Sequence, residues 1–160
     1  MADNKSLREH IAVWLVDTFS SMEEALPVED PYGIKFSIVS RKPIDKLVPG
    51  KKSALGIYDV GETKQHKMFP VTEVRLTVAF EIHLYSSDTN TTTTELNAYL
   101  AAVERKLMED QTLGGLAYDI AIIKSESDIV GQYEKQVAAM LEIEIKYRHK
   151  TGDPRKKVGE

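Results

Sequence analysis

The sequence predicts a single α+β domain, in which a mainly antiparallel, mixed β-sheet of four to five strands packs against two amphipathic helices and a β-hairpin or arm projects. Three observations predict this fold. Two segments have apolar residues at helical spacing, several others alternate apolar and polar residues, and one alternating segment is longer than a small domain is wide. With 160 residues, 42% hydrophobic and 29% charged, the chain has the size and composition of one globular domain.

The first predicted element is an amphipathic helix near the N-terminus. Ser6 and Glu9 have the spacing of a capping box, which indicates that a helix begins there. Apolar residues three and four positions apart form its buried face: Leu7, Ile11, Trp14, Leu15, Phe19, Met22 and Leu26. Pro27 ends the predicted helix, because proline lacks the backbone N–H that a helix interior requires.

Three strands are predicted next. Residues 34–40 alternate as a short strand, and residues 54–60 form a second strand that Gly61 closes. A polar loop, 62–70, leads to residues 71–85, which alternate most regularly. At about 3.3 Å per residue this strand would extend roughly 50 Å, so one end is expected to project and to meet another chain.

The second half repeats the pattern of a helix followed by strands. Thr92 begins a second capping box, and the amphipathic helix that follows is predicted to end near Asp110. Residues 116–123 are predicted as a strand and residues 125–132 as a polar turn. Residues 137–147 form the last strand, with apolar side chains on one face and charged side chains on the other.

The domain is predicted to span residues 1–150, followed by a flexible C-terminal tail, 151–160, which carries charge without an apolar period. The chain has no cysteine and a formal net charge of −4, which argues against a disulfide framework and against a uniformly basic nucleic-acid binder. No apolar run reaches the roughly 20 residues of a membrane span, and no signal-peptide pattern is present. We therefore expect synthesis in the cytoplasm and no membrane association.

No motif in the sequence indicates catalysis. The four histidines, His10, His66, His83 and His149, are far apart and lack metal-ligand spacing. Nucleophile-elbow, P-loop and dinucleotide-binding patterns are absent, and the pair Gly114-Gly115 is more typical of a tight turn. The sequence thus predicts a protein that is not an enzyme and that has no metal or cofactor.

A basic loop is predicted at residues 41–52. It carries five basic residues against the single acid Asp45. Its basic members are Arg41, Lys42, Lys46, Lys51 and Lys52. Clustered lysines can bind nucleic-acid phosphates, but no aromatic side chains interleave here. A solvated loop, or one that contacts an acidic patch on a neighbouring subunit, is therefore the favoured interpretation.

Two short segments carry a resemblance to a known family. Residues 109–116, E-D-Q-T-L-G-G-L, close the second helix, and residues 147–154, Y-R-H-K-T-G-D-P, close the last strand. In their order among the predicted elements they resemble bacteriophage tail-terminator and minor tail proteins, of the lambda-type tail-tube capping kind. The resemblance covers residues 7–154, and within it residues 41–52 and 88–94 are elaborations without a counterpart.

The resemblance implies a structural virion protein. It implies that six copies form a ring on the end of the tail tube, stop tube polymerisation and provide the surface for head joining. The implied partners are further copies of the chain, the tail-tube protein and a head-completion or connector protein, while DNA passes through the ring without sequence-specific binding. The implied location is the virion tail, assembled in the cytoplasm of the host bacterium.

Two alternatives remain open from the sequence. The chain could be a head–tail connector, another neck component or a tail-completion component, or it could be a small cytoplasmic ligand-binding protein or enzyme whose pocket is assembled from distant residues. For the ring, we expect subunit and tube contacts from the long strand, the basic loop and the charged tail. The candidate interface residues are Arg41, Lys42, Lys46, Lys51, Lys52, His66, Lys67, Phe69, Arg148 and Arg155.

Overall fold

A computed structural model describes residues 4–22, 34–44, 53–85, 89–128 and 136–159. Within these residues the chain forms two helices on one face of an open sheet of six strands that is mostly antiparallel. The predicted α+β class is therefore confirmed. The helices are α1 (Leu7–Ser20) and α2 (Thr89–Glu109). The strands are β1 (Ile38–Ser40), β2 (Ser53–His66), β3 (Val71–Tyr85), β4 (Asp119–Asp128), β5 (Gln136–Lys150) and β6 (Asp153–Lys157).

The long strand β3 lies at the centre of the sheet. The strand order is β1-β2-β3-β5-β4, and β6 pairs with the end of β5 that extends beyond β4. β1 runs parallel to β2, and all other neighbouring strands are antiparallel. β2 and β3 form one long hairpin, and β5 and β6 form a second, short one.

The core lies between the helices and one face of the sheet. Alternate residues of β3 and β5 are buried there in register, as in the pairs Val78 with Ile143 and Phe80 with Leu141. Phe19 of α1 meets Phe80 edge to face, with ring centroids 5.2 Å apart. The alternation that predicts these two strands therefore marks the face that they bury.

The helices begin and end close to where the sequence predicts. Ser6 caps α1, because its Oγ accepts a hydrogen bond from the backbone N–H of Glu9 at 3.2 Å. α1 ends at Ser20, and the predicted extension toward Pro27 enters residues 23–33, which lie outside the described ranges. α2 ends at Glu109 as predicted, but the prediction of a cap at Thr92 is wrong, since the helix already begins at Thr89. Threonine lowers helix propensity only modestly, so tertiary packing can extend a helix through it.

β2 and β4 are longer than the sequence predicts, and the additional residues of each pair with one neighbouring strand only. The prediction that Gly61 closes β2 is wrong, because a β-bulge between Asp59 and Gly61 lets the strand continue to His66. β4 begins three residues after the predicted start at 116 and continues through the predicted polar turn to Asp128. Such residues are held by backbone hydrogen bonds to one neighbour, and these leave no apolar period in the sequence.

The C-terminal segment also differs from the predicted flexible tail. Residues 153–157 form β6, which pairs with β5 and contacts α1. Gly152, with φ of +86°, makes the tight turn between β5 and β6. The charged residues of this segment thus become part of the sheet.

Candidate functional site

Two hairpin turns meet at one end of the sheet. The backbone N–H of Thr151, in the β5–β6 turn, donates a hydrogen bond of 2.7 Å to the carbonyl oxygen of Pro70, in the β2–β3 turn. The hydroxyl groups of Thr72 and Thr151 lie 3.0 Å apart. We call this end, made of residues 64–70 and 148–157, the tip surface.

The tip surface exposes two large apolar side chains. Met68 is 78% exposed and Phe69 is 80% exposed. The turn that carries them is closed by backbone hydrogen bonds in both directions, from Val71 to the carbonyl of Met68 and from Lys67 to the carbonyl of Val71. Both side chains are therefore presented on an ordered turn.

The tip surface is strongly basic although the whole chain is acidic. It contains seven basic residues and a single acid, Asp153. The basic residues are Lys64, Lys67, Arg148, Lys150, Arg155, Lys156 and Lys157. Arg155 donates a hydrogen bond of 3.0 Å to Asp153 and thereby lowers the pKa of that carboxyl group. An excess of positive charge remains.

Arg148 is held at the border of this surface. Its guanidinium lies 4.5 Å from the centre of the Tyr118 ring and 3.4 Å from the carboxylate of Glu73. A hydrogen bond from Tyr118, and the nearby cations Lys67 and Arg148, lower the pKa of Glu73. Arg148 is thus oriented, but half of its side chain remains exposed.

The structure brings together half of the candidate interface residues. His66, Lys67, Phe69, Arg148 and Arg155 all lie on the tip surface, although they come from two hairpins that are distant in sequence. The sequence indicates each of them separately and contains no signal for their proximity.

The other candidates lie elsewhere. Arg41 forms a two-pronged ion pair with Glu9 of α1, at 2.7 and 2.8 Å, which lowers the pKa of Glu9. The carbonyl oxygen of Lys42 lies over Gly56 of β2, only 2.8 Å from where a Cβ would be. The beginning of the basic loop therefore packs against β2 and α1. The remaining three candidates, Lys46, Lys51 and Lys52, lie outside the described residues.

An ionic cluster joins α1 to the sheet below the tip surface. Arg8 donates a hydrogen bond of 2.6 Å to Asp59, and the hydroxyl group of Tyr147 donates one of 3.2 Å to Glu62. Arg8 also lies 3.6 Å from Glu62. Burial, with the nearby negative charge, raises the pKa of Tyr147. Sequence reasoning missed this cluster, since its members come from three elements and share no motif.

A polar network crosses the sheet on the face without helices. Tyr58 donates a hydrogen bond of 3.1 Å to Glu81, and Glu81 lies 2.5 Å from Nε2 of His83. Gln136 contacts the other ring nitrogen of His83 at 2.6 Å. Burial and Glu81 raise the pKa of Tyr58 to about 12. A glutamate–histidine pair can act as a base. Here both ring nitrogens of His83 have hydrogen-bond partners and the side chain is buried. The network joins three strands, β2, β3 and β5.

The turn after α2, formed by residues 110–115, is held together by the side chain of Asp110. Asp110 accepts hydrogen bonds from the backbone N–H of Thr112 at 3.0 Å, from its hydroxyl at 2.7 Å and from the N–H of Gly114 at 2.7 Å. These hydrogen bonds lower the pKa of Asp110. Leu113 is fully buried in the core. This segment therefore ends the helix and anchors the turn.

Among the described residues, no group of three or more histidine, aspartate or glutamate side chains is arranged to hold a metal ion. Neither described helix combines the length and the apolar character needed to cross a membrane. A groove of about 450 Å³ opens on the tip surface, lined in part by His66 and His149.

No protein-family model and no curated protein sequence matches the chain. Among solved structures, the sheath/tube terminator of an extracellular contractile injection system, determined by cryo-electron microscopy in the extended state, is similar at a TM-score of 0.40 and 9% identity. The alignment covers 92% of this chain and 60% of that chain, so this chain spans less than two thirds of its length. A likeness of this size carries no inference about function.

Proposed function

We propose that this chain is a structural assembly protein of the tail-terminator type and has no catalytic activity. In this proposal, copies of the chain form a ring of six on the end of a phage tail tube, stop its polymerisation and offer a surface for head joining. The observation that carries the proposal is the tip surface, on which Phe69 and Met68 are exposed among seven basic residues.

Such a surface stabilises contacts between proteins rather than the monomer. Aromatic, methionine and arginine side chains are enriched at the centres of protein interfaces, whereas large apolar side chains on a turn add little to a monomer's own stability. The positive charge favours a partner with an acidic surface and speeds its association. We therefore assign the tip surface to the tail-tube protein or to a neighbouring copy.

The order of elements and motifs supports the same proposal. Residues 109–116 close α2, and residues 147–154 span the end of β5 and the turn into β6, which is where the resemblance to tail-terminator proteins requires them. Head-to-tail contacts between identical copies close into a ring when the rotation between them divides a full turn. A ring that matches the symmetry of the tube lets several weak contacts act together.

The proposal includes location and partners. The protein would belong to the virion tail and would be assembled in the host bacterium, with its own copies, the tail-tube protein and a head-completion protein as partners. DNA would pass through the ring without sequence-specific binding. These statements derive from the family resemblance.

The test is a tube-capping assay with tip variants. Tail-tube protein is polymerised with and without the purified chain, and tube lengths are measured by negative-stain electron microscopy. We expect the chain to limit tube length and the double variant Phe69→Ser, Lys67→Glu to lose this effect, because it removes the apolar anchor and reverses the charge.

A matched control separates the tip from general surface effects. The double variant Tyr85→Ser, Arg105→Glu changes an exposed aromatic residue and an exposed cation away from the tip surface, and should cap tubes like the unaltered chain. Full capping by the tip variant would contradict the assignment. Normal tail lengths in the absence of the chain, together with binding to head proteins, would instead indicate a neck component.

A further inference from the structure

One residue that lines the groove of the tip surface, His149, has a side-chain nitrogen without a hydrogen-bond partner among the described residues. The groove has a volume of about 450 Å³ and is lined by residues of β2, β3 and the β5–β6 hairpin. Its lining residues are Lys64, His66, Thr72, His149, Gly152 and Pro154. All of them except Thr72 belong to the tip surface, but the capping variants at Lys67 and Phe69 change none of them.

His149 is the buried member of this group. It is 4% exposed, and its Nδ1 lies 2.8 Å from the carbonyl oxygen of Lys150. A carbonyl can only accept, so Nδ1 carries the proton of this hydrogen bond. The other nitrogen, Nε2, is buried and has no hydrogen-bond partner in the described part of the chain. A buried polar atom without a partner costs about 1 to 3 kcal/mol, and such an atom in a native protein calls for a bound water or ion.

Positive charge surrounds His149. Lys157 is its cross-strand neighbour on β6, and therefore stands beside it on the same face of the sheet. Lys64 and His66 reach the groove from β2. The surface excess of cations disfavours a metal ion or an ammonium group as the ligand and favours an anion.

Two acids lie near the groove: Asp153, which is already paired with Arg155 at 3.0 Å and with Lys156 at 3.8 Å, and Glu62. The carboxylate of Glu62 is 3.3 Å from the ammonium of Lys64, accepts a hydrogen bond from Tyr147 and lies 3.6 Å from Arg8. Its single negative charge is therefore shared among three donors, two of them cationic. The groove keeps a positive balance that a ligand can neutralise.

We propose that this groove binds a phosphate-type oxyanion. The oxyanion is hydrogen-bonded to Nε2 of His149, and the ammonium groups of Lys64 and Lys157 neutralise its negative charge. A hydrogen phosphate group has one O–H that can donate to the neutral imidazole and further oxygens that accept from ammonium groups. This arrangement satisfies the buried nitrogen.

The proposal is tested by nuclear magnetic resonance on the full chain labelled with nitrogen-15. Inorganic phosphate is added at constant ionic strength, with chloride as the balancing anion, while the imidazole nitrogens are followed. We expect a saturable shift of Nε2 of His149. Inorganic sulfate, which carries no proton near neutral pH and so cannot donate a hydrogen bond to Nε2, should bind more weakly than phosphate.

Two variants on one strand decide between a built site and general attraction. Lys157→Met should lower phosphate affinity about tenfold, because it removes a charge-assisted hydrogen bond. Lys156→Met removes the same charge from the adjacent position, whose side chain points to the other face and lies 3.8 Å from Asp153, and should leave affinity unchanged. His149→Gln should abolish phosphate binding measured by calorimetry. The pair of lysine variants keeps the test valid if this change at a buried position also reduces stability.

The source of the phosphate group is separated by a second ligand. If a short DNA duplex shifts Nε2 of His149 and free phosphate competes with it, the natural ligand is a backbone phosphate, whereas a response to inorganic phosphate alone indicates a small anion. No saturable response to either ligand, or equal losses in the two lysine variants, would overturn the proposal. Tube capping is measured separately, so failure here leaves the proposed function intact.

Discussion

Three consecutive residues after α2 have a positive φ, namely Leu113, Gly114 and Gly115, at 50°, 67° and 83°. This backbone geometry favours glycine, and Leu113 adopts it because its side chain fills the core while Asp110 ties the turn together. Trp14 of α1 packs over the same turn, so Gly114 is restricted in space as well as in conformation.

Gly114→Ala and Gly115→Ala should therefore differ in cost. A Cβ at Gly114 would lie 2.9 Å from Nε1 of Trp14, whereas a Cβ at Gly115 would meet nothing within 4 Å. An alanine Cβ is strained at a positive φ, which should cost about 1 kcal/mol in each variant, and Gly114→Ala should lose roughly 1 to 2 kcal/mol more through the clash. Urea unfolding followed by Trp14 fluorescence measures both, and equal losses would contradict the packing argument.

The carboxylate of Asp110 should make stability depend on pH. Hydrogen bonds from Thr112 and Gly114 lower its pKa below the ordinary 3.8, so the ionised group stabilises the fold at neutral pH. This contribution is lost as the pH falls below 3.8 and through the lowered pKa of the folded state. Asp110→Ala should cost about 1 kcal/mol at neutral pH, and the difference from the unaltered chain should shrink in acid.

The control for this prediction is Asp17→Ala, at an exposed position of α1. Its effect on the free energy of unfolding should be within about 0.5 kcal/mol at neutral pH. Chemical denaturation at a series of pH values gives both results. A constant difference between Asp110→Ala and the unaltered chain across the acidic range would contradict the assignment to the carboxylate.

At the scale of elements, β5 and β6 show how a charged segment becomes ordered. β6 contains Lys156, Lys157 and Arg155 and has almost no apolar surface, yet it pairs with β5 and contacts α1. Backbone hydrogen bonds and the Thr151 contact to Pro70 position it without an apolar period. The two hairpin turns therefore stabilise each other.

Removing residues 153–160 should destabilise the protein by about 1 to 2 kcal/mol, because β5 loses a partner strand and α1 loses a contact. The matched control, removal of residues 158–160 alone, spares β6 and should cost less than about 0.5 kcal/mol. Thermal unfolding and amide hydrogen exchange at the end of β5 measure the effect. Equal stability of the two truncated chains would support the flexible tail that the sequence predicts.

In the whole molecule, we expect one phenylalanine to stabilise the fold and another to contribute to assembly. Phe80 is completely buried between α1 and the sheet, while Phe69 is the exposed aromatic residue of the tip surface. The core holds the two hairpins in place, and the hairpins present the tip surface to a partner.

Phe80→Ala should cost about 3 to 5 kcal/mol in the free energy of unfolding, through lost burial and the cavity beside Phe19. Phe69→Ala should change the free energy of unfolding by less than about 0.5 kcal/mol, because the side chain is exposed and buries little surface. It should still reduce tube capping. Calorimetry and the capping assay measure the two properties. A large loss of stability in Phe69→Ala would show that the tip belongs to the core of the monomer.

The parts of the fold that have a local signal could be predicted from the sequence. The cap at Ser6, the bounds of β3 at Val71–Tyr85 and the end of α2 all follow from side-chain chemistry or alternation within a short segment. The buried face of β5 follows in the same way. These features depend on neighbours a few residues apart, so one sequence is enough to predict them.

Other features depend on which distant segments pair in the folded chain. The continuation of β2 past Gly61, the strand β6 and the unsatisfied nitrogen of His149 depend on pairing with distant segments. The same is true of the tip surface, where the turns at Pro70 and Thr151 meet. Backbone hydrogen bonds between strands do not depend on side-chain identity, and contacts across the sheet leave no periodic pattern along the chain. Neither kind of contact can therefore be predicted from the sequence alone.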